Sequence, residues 1–137
     1  MAAVISGWFC GYAMAIISTG VLVAIASRVR STAWLDRWVA RDVPGAALAV
    51  PVFTGMVIAW TMMGIGLGLL FSALGGANES PLPIIENLPY AVFITGLAVL
   101  PSPPMLVLWP RYWWLTVGGS AAFAMLFGLL LPYLATR

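Results

Sequence analysis

The amino-acid sequence predicts an all-α integral membrane protein. The expected architecture is a bundle of four transmembrane helices, both termini outside, with a short interfacial segment after the first helix. Three observations carry this. Hydrophobic residues make up 63% of the 137 residues and charged residues only 7%, against about 45–50% and about 25% in soluble domains. The apolar residues fall in four uncharged runs, 1–27, 43–78, 87–110 and 112–136. Each is long enough for the roughly 20 residues that cross a bilayer once and too short to cross it twice. The runs are continuously apolar and rich in Gly, Ala, Leu and Met, whereas barrel strands alternate in polarity over about ten residues. The same figures exclude a soluble globule, a disordered chain, a disulfide scaffold and a nucleic-acid partner. One transmembrane domain over residues 1–137 remains.

The first helix is expected at about 4–27. Ala24-Ile25-Ala26 resembles a small-residue cleavage site, but a signal peptide opens with a basic region and a shorter apolar stretch. Here the arginines Arg28 and Arg30 follow the run, so a retained helix is expected. The interfacial loop 28–43 comes next. Its stretch Ser31–Asp42 is too polar to cross, and Trp34 and Trp38 sit one helical turn apart beside Leu35 and Val39. With Arg37 and Arg41 on a flank, it suits a short helix on the inner leaflet, held by anionic headgroups. Asp42 on the apolar side weakens that pattern.

The second helix is expected at about 48–75, starting near Gly45–Pro51, because proline is tolerated in a first turn. The outer loop 76–84 leads to a third helix at about 85–100. Proline disfavours helical geometry in the residue before it, so Pro101-Ser102-Pro103-Pro104 should stop this helix near Leu100. An inner Pro-rich loop, 101–111, then leads to the fourth helix at about 112–135.

Arginine supplies all six basic residues. Basic residues in short loops stay on the cytoplasmic side. The loops after helices 1 and 3 hold Arg28, Arg30, Arg37, Arg41 and Arg111; the loop after helix 2 holds Glu79 and Glu86 and no arginine. Only Arg137 lies on the other side, so both termini should be outside a cytoplasmic (inner) membrane of a bacterium or archaeon. Aromatic side chains favour the bilayer boundary. Trp34, Trp38, Trp109, Tyr112, Trp113 and Trp114 accompany the inner arginines, and Trp8, Tyr12, Tyr90 and Tyr133 would mark the outer boundary.

Small residues recur every four positions in three helices. These are Gly7, Gly11, Ala15 and Thr19 in the first, and Gly64, Gly68, Ser72 and Gly76 in the second. The last helix has Ser120, Ala124 and Gly128, with Gly118 paired to Ala122. In lipid the hydrophobic effect does not drive helices together, and small residues that admit a neighbouring backbone take over. These faces are candidates for packing within the bundle, for self-association and for contact with other membrane subunits.

The chain has no histidine, no lysine and one cysteine. That removes imidazole ligands, a lysine Schiff base and an internal disulfide. Neither a nucleotide loop nor a nucleophile motif is present. No catalytic residue, metal site or cofactor is expected, although bound lipids are compatible. Cys10 reads as packing. Thr54, Thr61 and Thr95 can bond to their own helix backbone, and Met56, Met62, Met63, Met105 and Met125 read as flexible packing groups. Glu86 and Glu79 are the candidate ion or proton site, since ionisable groups near the membrane carry function disproportionately. Arg28, Arg30, Arg37, Arg41, Arg111, Trp34, Trp38, Trp113 and Trp114 are candidate headgroup anchors.

The leading functional expectation is a non-catalytic accessory or structural subunit of a larger membrane complex, such as an energy-converting one. One alternative is a small homo-oligomeric transporter or channel built on Glu86 and the proline-broken third helix. The other is a lipid- or quinone-interacting subunit using Arg111 and Trp113.

Overall fold

The computed structural model describes residues 1–28, 45–74, 87–108 and 110–137. Regular structure among them is entirely helical. Two long helices come first, α1 (Ala2–Arg28) and α2 (Gly45–Ala73). Then follow α3 (Leu88–Val99), α4 (Ser102–Leu108), a 3-10 turn (Pro110–Tyr112) and α5 (Trp113–Phe123). A π-helical segment (Ala124–Leu130) joins α5 to α6 (Leu131–Ala135).

Among the described residues, three helical stretches are long and apolar enough to cross a membrane: Ala2–Ala24, Val50–Ala73 and Pro110–Ala135. The third expected span differs. α3 has only 12 residues, about 18 Å at 1.5 Å per residue, short of a hydrocarbon core of about 30 Å. The inner Pro-rich stretch is not a loop either, because Ser102–Leu108 resumes as helix. The first N–H groups of a helix have no intrahelical acceptor, so Pro103 and Pro104 forfeit nothing in the first turn of α4. Pro51, by contrast, falls inside α2 and not in its first turn, because that helix already begins at Gly45.

Helices α1 and α2 form an antiparallel hairpin joined at backbone level. A Cβ placed on Gly7 would strike the carbonyl of Gly64, one on Gly68 the carbonyl of Ala3, and one on Gly11 the backbone of Trp60 and Thr61. Only hydrogen side chains allow this approach, and van der Waals contact between the two backbones holds the pair together. The strip is short for a geometric reason. At 3.6 residues per turn, positions four apart drift by about 40° each step, so Ser72 has rotated out to an exposed position where its hydroxyl donates to the Leu69 carbonyl.

The chain from α3 to α6 makes a second antiparallel hairpin about the 3-10 turn. Ser102 and Ser120 pair their hydroxyls at 3.0 Å. A Cβ on Gly128 would lie 3.5 Å from Ile94 Cγ2, an ordinary contact. Nearer the chain ends, Tyr90 meets the π-helical segment. The proline at 132 explains that widening. Leu131 N–H donates five residues back to the Leu126 carbonyl; the next bond of that pattern would run from residue 132 to Phe127, and proline has no N–H to give. The Tyr90 hydroxyl supplies it, donating to the Phe127 carbonyl at 2.8 Å.

The two hairpins share a core at the end that holds both termini. Cys10, Phe71, Tyr90, Ile94, Phe127 and Leu131 are buried there. Phe71 meets Tyr90 edge-on with ring centroids 5.0 Å apart, and Phe123 and Phe127 lie 4.8 Å apart. Tyr90 is therefore not the boundary anchor its residue type suggested: it is 2% exposed, with its one polar atom consumed by the Phe127 carbonyl. Trp8 and Tyr12 instead stack on the exposed face of α1 with centroids 6.0 Å apart, and Arg137 lies over the Tyr133 ring at 4.6 Å.

Candidate functional site

Packing is dense at the Tyr90 end and opens at the other. Towards Pro101 and Trp114 the two hairpins separate and leave an apolar cleft of two nearly equal lobes. One lobe, about 380 Å³, lies between Trp60 and Met63 of α2, Leu97 of α3, and Ser120 and Phe123 of the second hairpin. The other, about 370 Å³, lies between Ile17, Val21 and Leu22 of α1, Met56 of α2, and Trp114 and Gly118 of α5. Met14, Trp60, Leu115 and Gly119 line both and form the seam.

The cleft exists because side chains are missing where the hairpins face each other. A Cβ added to Gly118 or Gly119 would meet nothing within 4 Å. The contrast with Gly7 and Gly64 is chemical: there glycine admits a neighbouring backbone, and here it leaves space. Trp60 spans the boundary between core and cleft, 6.2 Å from the Phe123 ring and 6.4 Å from that of Phe127. Three hydroxyls stand in the walls, those of Thr116, Ser120 and Ser18, and two of them are engaged. Ser120 is paired with Ser102, and Ser18 donates to the Ala15 carbonyl at 3.2 Å. Apart from the Thr116 hydroxyl, the walls present hydrocarbon, sulfur and aromatic faces. Each lobe lies within the roughly 300–1,000 Å³ of small-molecule sites, and such a lining suits an apolar occupant.

The residues singled out in the sequence distribute as follows. Gly7, Gly11 and Ala15 are buried on α1, and Gly64 and Gly68 are buried on α2 against them. Ser120, Ala124 and Gly128 are half-buried towards the second hairpin. Arg111, Trp113 and Trp114 are exposed around the 3-10 turn, Trp113 by 60%. Arg28 is the last residue of α1. Gly76, Glu79, Glu86, Arg30, Trp34, Arg37, Trp38 and Arg41 lie outside the described residues. Cys10 is fully buried among apolar neighbours. Thr54, Thr61 and Thr95 each donate to the carbonyl four residues earlier, at 2.9, 2.6 and 2.8 Å. Met62 and Met125 turn outward, whereas Met63 and Met56 line the cleft. Among the described residues no three His, Cys, Asp or Glu side chains come together.

Sequence reasoning missed Met14, Trp60, Leu97 and Phe123 as a set. One signal was available: a tryptophan in the middle of an apolar run cannot serve as a boundary anchor, and Trp60 is such a residue. No protein-family profile matches the chain, and neither a curated protein nor a solved structure is significantly similar to it.

Proposed function

We propose that this chain is a non-catalytic accessory subunit, embedded by four crossings in a larger membrane assembly, with both termini outside. The observation that carries the reading is the division of its small residues into two classes. Gly7, Gly11, Gly64 and Gly68 are used up inside the first hairpin, while Gly20, Gly55, Gly66 and Gly96 have open space where a side chain would stand. Facing lipid, a glycine forfeits packing; facing another helix, it permits close approach. Large apolar side chains surround these open positions, among them Ile16, Ile58, Val92 and Phe93. A partner helix would bury them.

The fourth crossing is assigned to α3 and α4 together. They run from residue 88 to 108 with a break of two residues, a path of about 31 Å at helical rise, close to the bilayer core. That arrangement keeps Arg111 beside the arginines that follow α1, as the positive-inside rule requires.

Purification in a mild detergent followed by native mass spectrometry tests the assignment. A defined complex with other membrane polypeptides is the expected species. A homogeneous free chain, or a homo-oligomer alone, overturns the accessory role.

A further inference from the structure

We propose that the two-lobed cleft holds a diacyl lipid with an anionic headgroup, one acyl chain in each lobe. The site does not depend on the accessory role and stands or falls separately.

Shape is the first argument. Two apolar lobes of nearly equal volume meet at one seam, formed by Met14, Trp60, Leu115 and Gly119. An occupant confined to one lobe leaves the other empty. A glycerolipid has two chains diverging from one point, which matches the topology. The lining carries no charged side chain, and of its three hydroxyls Ser18 and Ser120 are committed elsewhere, so the lobes, Thr116 apart, suit hydrocarbon.

Charge gives the headgroup. Both walls run out of the cleft into arginine. The lining residue Leu115 of α5 lies four residues after the exposed Arg111, which stands in the 3-10 turn leading into that helix. On α1, Leu22 lies six residues before Arg28, about 9 Å along the axis. No acidic residue lies among those segments; the four carboxylates of the chain are Asp36, Asp42, Glu79 and Glu86. Arginine binds a phosphate through a planar fork of donors, and each such residue near a membrane surface contributes about a five-fold preference for anionic lipid. The exposed Trp113 and Trp114 set this end at headgroup depth.

The test uses the full chain in maltoside detergent, titrated separately with phosphatidylglycerol and phosphatidylcholine of identical chains, and read by native mass spectrometry. The wild type is expected to retain one phosphatidylglycerol per chain in clear preference to phosphatidylcholine. Gly119→Leu fills the seam without touching another backbone. It should lower retention at least ten-fold while circular dichroism shows unchanged helix content. Arg111→Gln should leave retention of phosphatidylcholine unchanged and reduce the preference for phosphatidylglycerol about five-fold. Equal retention of the two lipids by the wild type overturns the proposal. So does undiminished retention by Gly119→Leu, or a change of oligomeric state in that variant with lipid binding intact.

Discussion

The hydroxyl of Tyr90 donates to the carbonyl of Phe127, 37 residues away, at the position where Pro132 denies that carbonyl a backbone N–H. In hydrocarbon no water can substitute. Tyr90→Phe should therefore destabilise the folded chain by about 1 kcal/mol, the scale of one hydrogen bond within a membrane or a protein interior. In a Pro132→Ala background, residue 132 regains an N–H and the cost of Tyr90→Phe should shrink. A double-mutant cycle of detergent-titrated unfolding, followed by circular dichroism, checks this. Equal costs in both backgrounds would remove proline from the explanation.

Gly64→Ala places a methyl group against the carbonyl of Gly7, and backbone cannot step aside as a side-chain tip can. A loss of about 1–3 kcal/mol is expected, as for overpacked cores. In the chain freed of partners, Gly20→Ala has open space and should be neutral or stabilising by up to about 1 kcal/mol, since alanine is the better helix former. Thermal midpoints in one detergent compare the pair directly. Matching midpoints would mean that the close approach does not hold α1 to α2.

The hydroxyl pair Ser102–Ser120 bridges α4 and α5. Hydrogen bonds between membrane helices average about 0.6 kcal/mol, so Ser102→Ala and Ser120→Ala should each have small effects. Their combination should cost no more than either alone. Additive losses in the same unfolding assay would show that the two side chains act independently.

Orientation can be read without removing the native thiol, because Cys10 is fully buried and should stay unlabelled in intact membranes. Arg37→Cys and Glu79→Cys should react with an impermeant maleimide from opposite sides of the bilayer. Labelling of both from one side would contradict the proposed crossings.

Much of the fold was legible because membrane spanning is a matter of length and polarity. The runs at 1–27 and 43–78 became α1 and α2 with boundaries shifted by a few residues. The strip Gly7, Gly11, Gly64, Gly68 was visible as spacing; the pairing of one strip with the other is a tertiary fact that spacing does not encode. Pro101–Pro104 read as a stop signal, and α3 does end at Val99; what went unread is that proline in a first turn has no bond to lose, so that helix resumes at Ser102. Tyr90 read as a boundary residue from its amphipathic ring. Its actual role depends on a proline 42 positions later, a relation that no local pattern reveals. The cleft was hidden for a related reason: Gly118 and Gly119 look like a packing face, and composition cannot separate a glycine that admits a neighbour from one that leaves a void.

The glycine contact of the first hairpin also bears on assembly order. Every residue that makes it is synthesised by Gly68, some twenty positions before Leu88 begins the second hairpin. Chains fold as they emerge, earlier segments first, and contacts close in sequence form quickly. The α1–α2 pair can thus clasp during translation, presenting the later segments with a finished wall on which Tyr90 and Phe127 settle.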